Sequence, residues 1–240
     1  VDESNKFLTP KKVFAAELAY LKNNGYQVVP LPQLIDYLDR EPGADLPEKA
    51  VVITFDDGYA GNYFIGYPVL KQYQMPATIF LITSQIGNQS DELPRLTWAQ
   101  MREMEASGLI DIQAHTNELH QLVPVDVSLE ARPAVVSRAY LPAEQRIETR
   151  AEYEKRLLTD FILARETIAK NLNKEALTLA WPYGAYNLNA LRLGRLAGFE
   201  NFATLRIGMN QRGDSPLVIK RIDVEGDITL TQFAALLEPD

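Results

Sequence analysis

No cysteine occurs anywhere in the 240 residues, which removes disulfides, thiolate metal sites and cysteine nucleophiles together. Histidine is scarce too: there are two, so any imidazole chemistry falls to that pair. No apolar run approaches the roughly 20 residues of a transmembrane helix. No basic stripe relieves the acidic balance of 24 Lys and Arg against 32 Asp and Glu, which argues against a nucleic-acid partner and leaves a neutral or cationic one. Neither an internal repeat nor a linker interrupts the chain, so residues 1–240 are expected to form a single domain. The length suits one α/β barrel. The first residue is Val1 and no signal peptide is visible. The expectation is a mature or trimmed form from which an export signal has been removed.

What is present is organised around Val51-Val-Ile-Thr-Phe-Asp-Asp-Gly58. The apolar, β-branched run reads as a buried parallel strand. Its C-terminal end, where α/β folds carry their chemistry, bears two adjacent carboxylates. Neighbouring side chains of a regular strand point to opposite faces. Asp56 and Asp57 can therefore share a site only if the chain leaves the strand there, a break that Gly58 permits. Two like charges side by side call for a metal ion or a shared proton. The plain alternative is a solvated Asp-Asp-Gly turn.

The remaining pattern alternates strand and helix. Thr9-Pro10 reads as an N-cap with proline at the first position of a helix over residues 11–23. Strands are expected at 26–29, 76–82, 110–114, 177–180, 202–205 and 217–224. Helices are expected at 34–38, 62–73 with an irregularity at Pro68, from Thr97 to Ser107, from Thr149 to about Asn171, at 188–197 and at 229–237. Thr97 with Gln100 and Thr149 with Glu152 are capping boxes. Residues 122–142 show no period and read as a long functional or disordered loop.

Three strand ends carry unusual residues: Asp56-Asp57, His115 to His120, and Trp181-Pro-Tyr-Gly184. Strand ends gather on one rim of a barrel, so the three can converge. Two neutral imidazoles and one carboxylate make an open divalent site. The i, i+5 spacing does not place both rings on one helix face, so a loop or distorted turn must hold them. One Asp would bind the metal, and the other would serve as general base toward water. The Trp181–Gly184 turn could offer the Tyr183 N–H to a developing oxyanion, or be a tight turn with core aromatics.

Thr54-Phe-Asp-Asp-Gly58, His115-Thr116 with His120, and Trp181-Pro-Tyr-Gly184 resemble the first three motifs of the polysaccharide deacetylases, the NodB-homology carbohydrate esterases. Pro76-Ala-Thr-Ile-Phe80 matches as flanking text. The resemblance implies a deformed (β/α) barrel and metal-dependent removal of acetyl groups from sugars. Carried over by motif, it makes Asp56 the base and Asp57, His115 and His120 the ligands of one divalent ion, with zinc first and cobalt, nickel or iron as alternatives. Thr116 would brace the histidine loop and Tyr183 would supply the oxyanion N–H. Trp181 in place of the family's usual arginine, and the i, i+5 histidines, resemble the branch that N-deacetylates poly-β-1,6-N-acetyl-D-glucosamine in biofilms. The implied protein is secreted or displayed at the cell surface and monomeric. It acts on that polysaccharide, with peripheral membrane or cell-wall contact left open. Chitin oligomers, peptidoglycan and xylan stand as alternative substrates, and a binding fragment without turnover as an alternative of another class.

Outside the motifs, Arg221 either pairs with Asp56 or forms a surface ion pair with its neighbour Asp223. Tyr59, Tyr63 and Phe64 either stack on sugar rings or belong to the core, and Trp181 and Pro182 support the rim. The 122–142 loop packs on the barrel, lines a polymer groove or touches a membrane. The histidine that protonates the leaving amine in this family has no counterpart after His120 and is expected just ahead of Val1.

Overall fold

A computed structural model describes residues 9–89 and 93–238. Helix α1 (Lys11–Asn23) buries Leu18 and Leu21 and ends at Asn24 and Gly25. Its N-cap is Pro10, still extended at ψ 144, and not Thr9; the proline ring carries no acceptor, so no side chain caps the helix. Strand β1 (Gln27–Val28) follows, then α2 (Leu31–Leu38). That helix starts three residues earlier than the expected 34, since Pro32 fits a first turn, where its missing N–H is no loss.

The central run is not one buried strand. It divides into β2 (Ala50–Val51) and β3 (Thr54–Phe55), all four residues half-buried. The physical reason is a change of partner. Ala50 and Val51 pair with Gln27 and Val28 of β1, whereas Thr54 and Phe55 pair with Thr78 and Ile79. Beyond Gly58, a π-helical stretch (Asn62–Gly66) runs into α3 (Tyr67–Tyr73). The switch falls at Pro68, in the first turn of α3, where an irregularity was expected.

Strand β4 (Ala77–Leu81), helix α4 (Trp98–Ala106) and strand β5 (Ile110–Ala114) come next. The capping box of Thr97 and Gln100 forms as expected. Residues 122–142 are more ordered than their lack of period suggested. They carry the antiparallel pair β6 (Leu122–Pro124) and β7 (Ala131–Pro133), then β8 (Tyr140–Leu141), which pairs with β9 (Arg146–Ile147). Strands of two or three residues are too short to display a period of two. Ala134 and Val135 are fully buried in the main core, so this part of the insert packs on the barrel.

Helix α5 (Arg150–Leu172) opens on the capping box of Thr149 and Glu152. Strand β10 (Thr178–Ala180), helix α6 (Leu188–Leu196) and strand β11 (Asn201–Ala203) complete the alternation. The strand expected at 217–224 does not form. Pro216 opens a 3-10 turn to Val218, and a single parallel bridge from Ile219 to Ala203 is what remains of the pairing. Helix α7 (Leu230–Leu236), capped by Thr229, closes the described chain.

Five strands pair in parallel in the order β11-β10-β5-β4-β3. Alternation along them serves two cores. Ile79, Leu81, Ile112, Leu179 and Phe202 face the helical layer, while Phe80, Ala180, Ala203 and Ile219 face a small inner core plugged by Leu31, Leu34 and Leu38 of α2. The sheet is thus curled about α2, and the fold is the expected deformed (β/α) barrel. The C-terminal ends of β3, β5 and β10 meet on one rim.

One buried carboxyl lies away from that rim. Glu17 of α1 is 5% exposed and its Oε1 has no hydrogen-bond partner among the described residues. Burial pushes its pKa up to about 7 from 4.5. Folding therefore favours the protonated form, so Glu17 stabilises the fold below its unfolded pKa and loses that contribution as pH rises through about 7. Replacing it with leucine should raise stability at pH 8 by about 1–3 kcal/mol and by much less at pH 5. Urea unfolding of both proteins at the two pH values measures this.

Candidate active site

The three strand ends converge through local breaks in regular backbone. After Phe55, Asp57 and Gly58 both take φ 71. An aspartate tolerates the left-handed region better than most residues. At Gly58 the positive φ favours glycine, and a Cβ there would also press on Leu81 Cδ2 at 2.7 Å. The break brings Asp56 and Asp57 to one site. Arg95 secures it, donating from Nη1 to the Asp57 carbonyl at 3.0 Å while its guanidinium lies 4.0 Å from the centre of the Tyr59 ring.

At the end of β5, His115 is buried and its Nδ1 lies 2.8 Å from the Ala180 carbonyl. A carbonyl only accepts, so Nδ1 carries the proton and Nε2 is free as a donor of electrons. Nε2 of His115 and Nε2 of His120 each lie 3.5 Å from Asp57 Oδ1. That oxygen is buried and has no hydrogen-bond partner among the described residues. One donor atom from each of the three residues falls within a 4.8 Å group. A tetrahedral ion with bonds of about 2.1 Å sets its ligands about 3.4 Å apart. The residues therefore fit a divalent metal: spacing, donor types and an orphaned carboxylate oxygen agree. Burial lowers the pKa of His120 although Asp57 opposes it, which keeps the ring neutral and able to ligate.

Asp56 stands beside this group, its Oδ2 3.9 Å from His115 Nε2. Arg221 grips it with two bonds, Nη1 to Oδ1 at 2.7 Å and Nη2 to Oδ2 at 2.9 Å. The Arg221 side chain is 11% exposed and also donates from Nε to the Thr204 carbonyl at 3.1 Å. This is a part-buried, bidentate pair, not an ion pair on the open surface. Burial pushes the Asp56 carboxyl up, but His115 and Arg221 outweigh it and hold it below the ordinary range.

On the third strand end, Gly184 N–H to Trp181 carbonyl and Ala185 N–H to Pro182 carbonyl close the turn. Tyr183 takes φ 58, and its own N–H has no partner among the described residues. Its ring centre lies 4.5 Å from that of His120. Burial and the Asp57 charge both push the Tyr183 hydroxyl pKa up.

The other anticipated residues divide. Tyr59 is at the site, its hydroxyl pKa raised by burial and then by Asp57. Trp181 is buried, stacked on Phe202 and Tyr186 with Phe161 at its edge, and Pro182 is buried beneath the turn; both support the rim from below. Tyr63 packs against Tyr67 and donates to Glu103, so it belongs to the core, while Phe64 is 65% exposed. Asp223 is exposed and makes none of the site's contacts. Thr116 is buried at φ 70, but its hydroxyl has no partner among the described residues.

The histidine loop is braced by residues the sequence reading missed. Thr83 and Ser84 donate their N–H groups to the carbonyls of Thr116 and Asn117, each at 3.1 Å. Asp160 of α5 accepts the N–H of Asn117 at 2.9 Å and of Glu118 at 2.7 Å. A signal for Asp160 existed. It falls on the apolar stripe of α5 defined by Tyr153, Leu157 and Phe161, where a carboxylate needs partners to be buried.

The family model for polysaccharide deacetylases matches residues 43–202, a span that holds all three motifs. The chain belongs to the polysaccharide deacetylase family. Over 91% of its length it is 31% identical to the poly-β-1,6-N-acetyl-D-glucosamine N-deacetylase of Escherichia coli, and it spans about a third (34%) of that relative. Among solved structures, it resembles the de-N-acetylase of Aggregatibacter actinomycetemcomitans at 32% identity and TM-score 0.84, covering 94% of this chain and 88% of that one. It also resembles the BpsB deacetylase domain of Bordetella bronchiseptica at 29% identity and TM-score 0.81, covering 90% and 84%. As the chain is a deacetylase-family barrel, the triad of Asp57, His115 and His120 has a direct test. A bound outer-shell partner is worth about 10–100-fold in metal affinity, so losing a ligand exceeds this. His120→Ala should weaken Zn²⁺ binding by more than about 100-fold in titration calorimetry, with the melting temperature of the metal-free protein little changed.

Proposed function

We propose that this chain hydrolyses N-acetyl groups from poly-β-1,6-N-acetyl-D-glucosamine, using one divalent metal ion. The observation that carries the reading is the orphaned Asp57 Oδ1 between two imidazole nitrogens, beside a second carboxylate that an arginine keeps ionised. Similarity to the Escherichia coli N-deacetylase supports the polymer and its linkage.

Asp57, His115 and His120 would hold the ion, and their nitrogen and oxygen donors suit zinc, cobalt, nickel or iron. When bound, it supplies Lewis-acid polarisation of the acetyl carbonyl and makes water more acidic. Asp56 then takes the proton of the attacking water. Its lowered pKa keeps it ionised for that task at neutral pH, and Arg221 fixes the orientation of both carboxylate oxygens. The unpartnered Tyr183 N–H donates to the acetyl oxygen as negative charge develops on it. The leaving amine takes its proton from an acid other than Asp56. Tyr59 borders the site with one ring face covered by Arg95 and would offer the other to a sugar ring.

The polymer lies outside the cell, so the proposal places the protein in the secreted or cell-surface compartment, acting as a monomer. Among the described residues no helix is long and apolar enough to cross a membrane.

The test is acetate release from β-1,6-linked N-acetylglucosamine oligomers, with added metal and again after chelation. Release that chelation abolishes supports the reading. Release from chitin oligomers, peptidoglycan or acetylated xylan, but not from the β-1,6 oligomer, moves the substrate and keeps the chemistry. No release from any of them, nor from an aryl acetate whose leaving group needs no protonation, overturns the deacetylase reading. Asp56→Asn should lower kcat by about 10²–10⁴-fold, the range of a lost general base. Arg221→Met should lower kcat by about tenfold or more with KM little changed, because it unsettles the base and not the sugar contacts.

A further inference from the structure

We infer that Asp160 is a positioning residue for the metal centre: its carboxylate fixes the turn that carries His120 to its place opposite His115. The inference rests on the proposed metal site, but not on any substrate.

His115 is fixed by the strand that ends at it, through its N–H to the Leu81 carbonyl at 2.7 Å and its ring to Ala180. His120 has no such anchor. It stands five residues on, past Thr116, whose φ of 70 turns the chain away from the strand direction. Between the two histidines, the backbone must be held from both sides or the second ring drifts. One side is the turn at Thr83–Gln85, whose N–H groups take the carbonyls of Thr116 and Asn117, with the Thr83 hydroxyl on Asn117 Oδ1 at 2.9 Å. On the other side, Leu119 is buried in the main core and Asp160 is the one side chain among the described residues that hydrogen-bonds the loop backbone. One carboxylate receives two successive N–H groups, of Asn117 on Oδ1 and of Glu118 on Oδ2.

Asp160 is 7% exposed, and its two hydrogen bonds to the loop are part-buried, so removing it takes away the shared acceptor of two successive N–H groups. Losing both bonds at once frees the loop to change shape. An asparagine cannot replace the carboxylate, since its NH₂ would face one of the two N–H groups. Burial also raises the Asp160 pKa to about 6 against the pull of those N–H groups. A carboxylate kept on an apolar helix face at that expense is one the loop uses.

The experiment follows Co²⁺ binding by its visible d–d absorption, with no substrate present, in the wild-type chain and in Asp160→Asn. The expected result is a loss of affinity of about 10–100-fold and a changed band shape, because His120 no longer sits in register. A lower melting temperature with unchanged Co²⁺ affinity and spectrum would mean a purely structural role and overturn the inference. Wild-type protein that binds no Co²⁺ removes the metal site itself, and this inference with it. A second measurement needs no variant. In metal-free wild-type protein, the Asn117 and Glu118 amides should exchange with deuterium at least about 100-fold more slowly than unprotected amides, as expected for donors already bonded. Exchange at the rate of an open loop would equally overturn the inference.

Discussion

Two carboxylates on consecutive residues repel one another, and the arrangement of the rim answers that repulsion. Asp56 and Asp57 are turned to the same place by back-to-back left-handed and strand-breaking geometry. Each charge is then met differently. Asp56 receives a guanidinium through two bonds. Asp57 receives no Lys or Arg cation on its carboxylate from the described residues and presents one oxygen to two imidazole nitrogens. The division separates the two charges: one carboxylate is compensated by an arginine of the chain, while the other keeps an oxygen with no hydrogen-bond partner among the described residues.

The barrel supplies this arrangement by bending early. The segment from Ala50 to Phe55 belongs to two sheets in turn, which curls the wall around α2. The small inner core of Phe80, Ala180, Ala203 and Ile219 leaves room at the rim for buried polar groups. The larger outer core fixes the strand ends, with Trp181 stacked under the turn that presents Tyr183. Rigid aromatic support of this kind keeps an N–H donor aimed without a side chain of its own.

Much of this was legible in the sequence because strong local signals coincide with it. The capping boxes at Thr97 and Thr149 and the helices they open lie where the side chains require. The three motif-bearing strand ends are where apolar runs stop. The continuous strand over 51–55 was misread because composition reports burial and not pairing partner. The strand over 217–224 was misread because its apolar content serves a single bridge at Ile219. The insert looked irregular because its strands are two or three residues long. Arg221 could be named but not placed, since 165 positions separate it from Asp56. Asp160 was passed over within a helix whose apolar stripe drew the attention.

The order of strands has a consequence for how the molecule comes into being. Strands β3, β4, β5, β10 and β11 lie side by side in the sequence in which they are synthesised. A nascent chain can add each to the one before, growing the wall outward from its first member. The bidentate grip on Asp56 departs from that vectorial order. It joins the first strand end to a residue beyond the last strand, across 165 positions. Asp56 therefore acquires its counter-charge only when the late segment docks. Partly built intermediates carry both aspartates without the guanidinium that orients Asp56, so the charge balance of the rim is completed last.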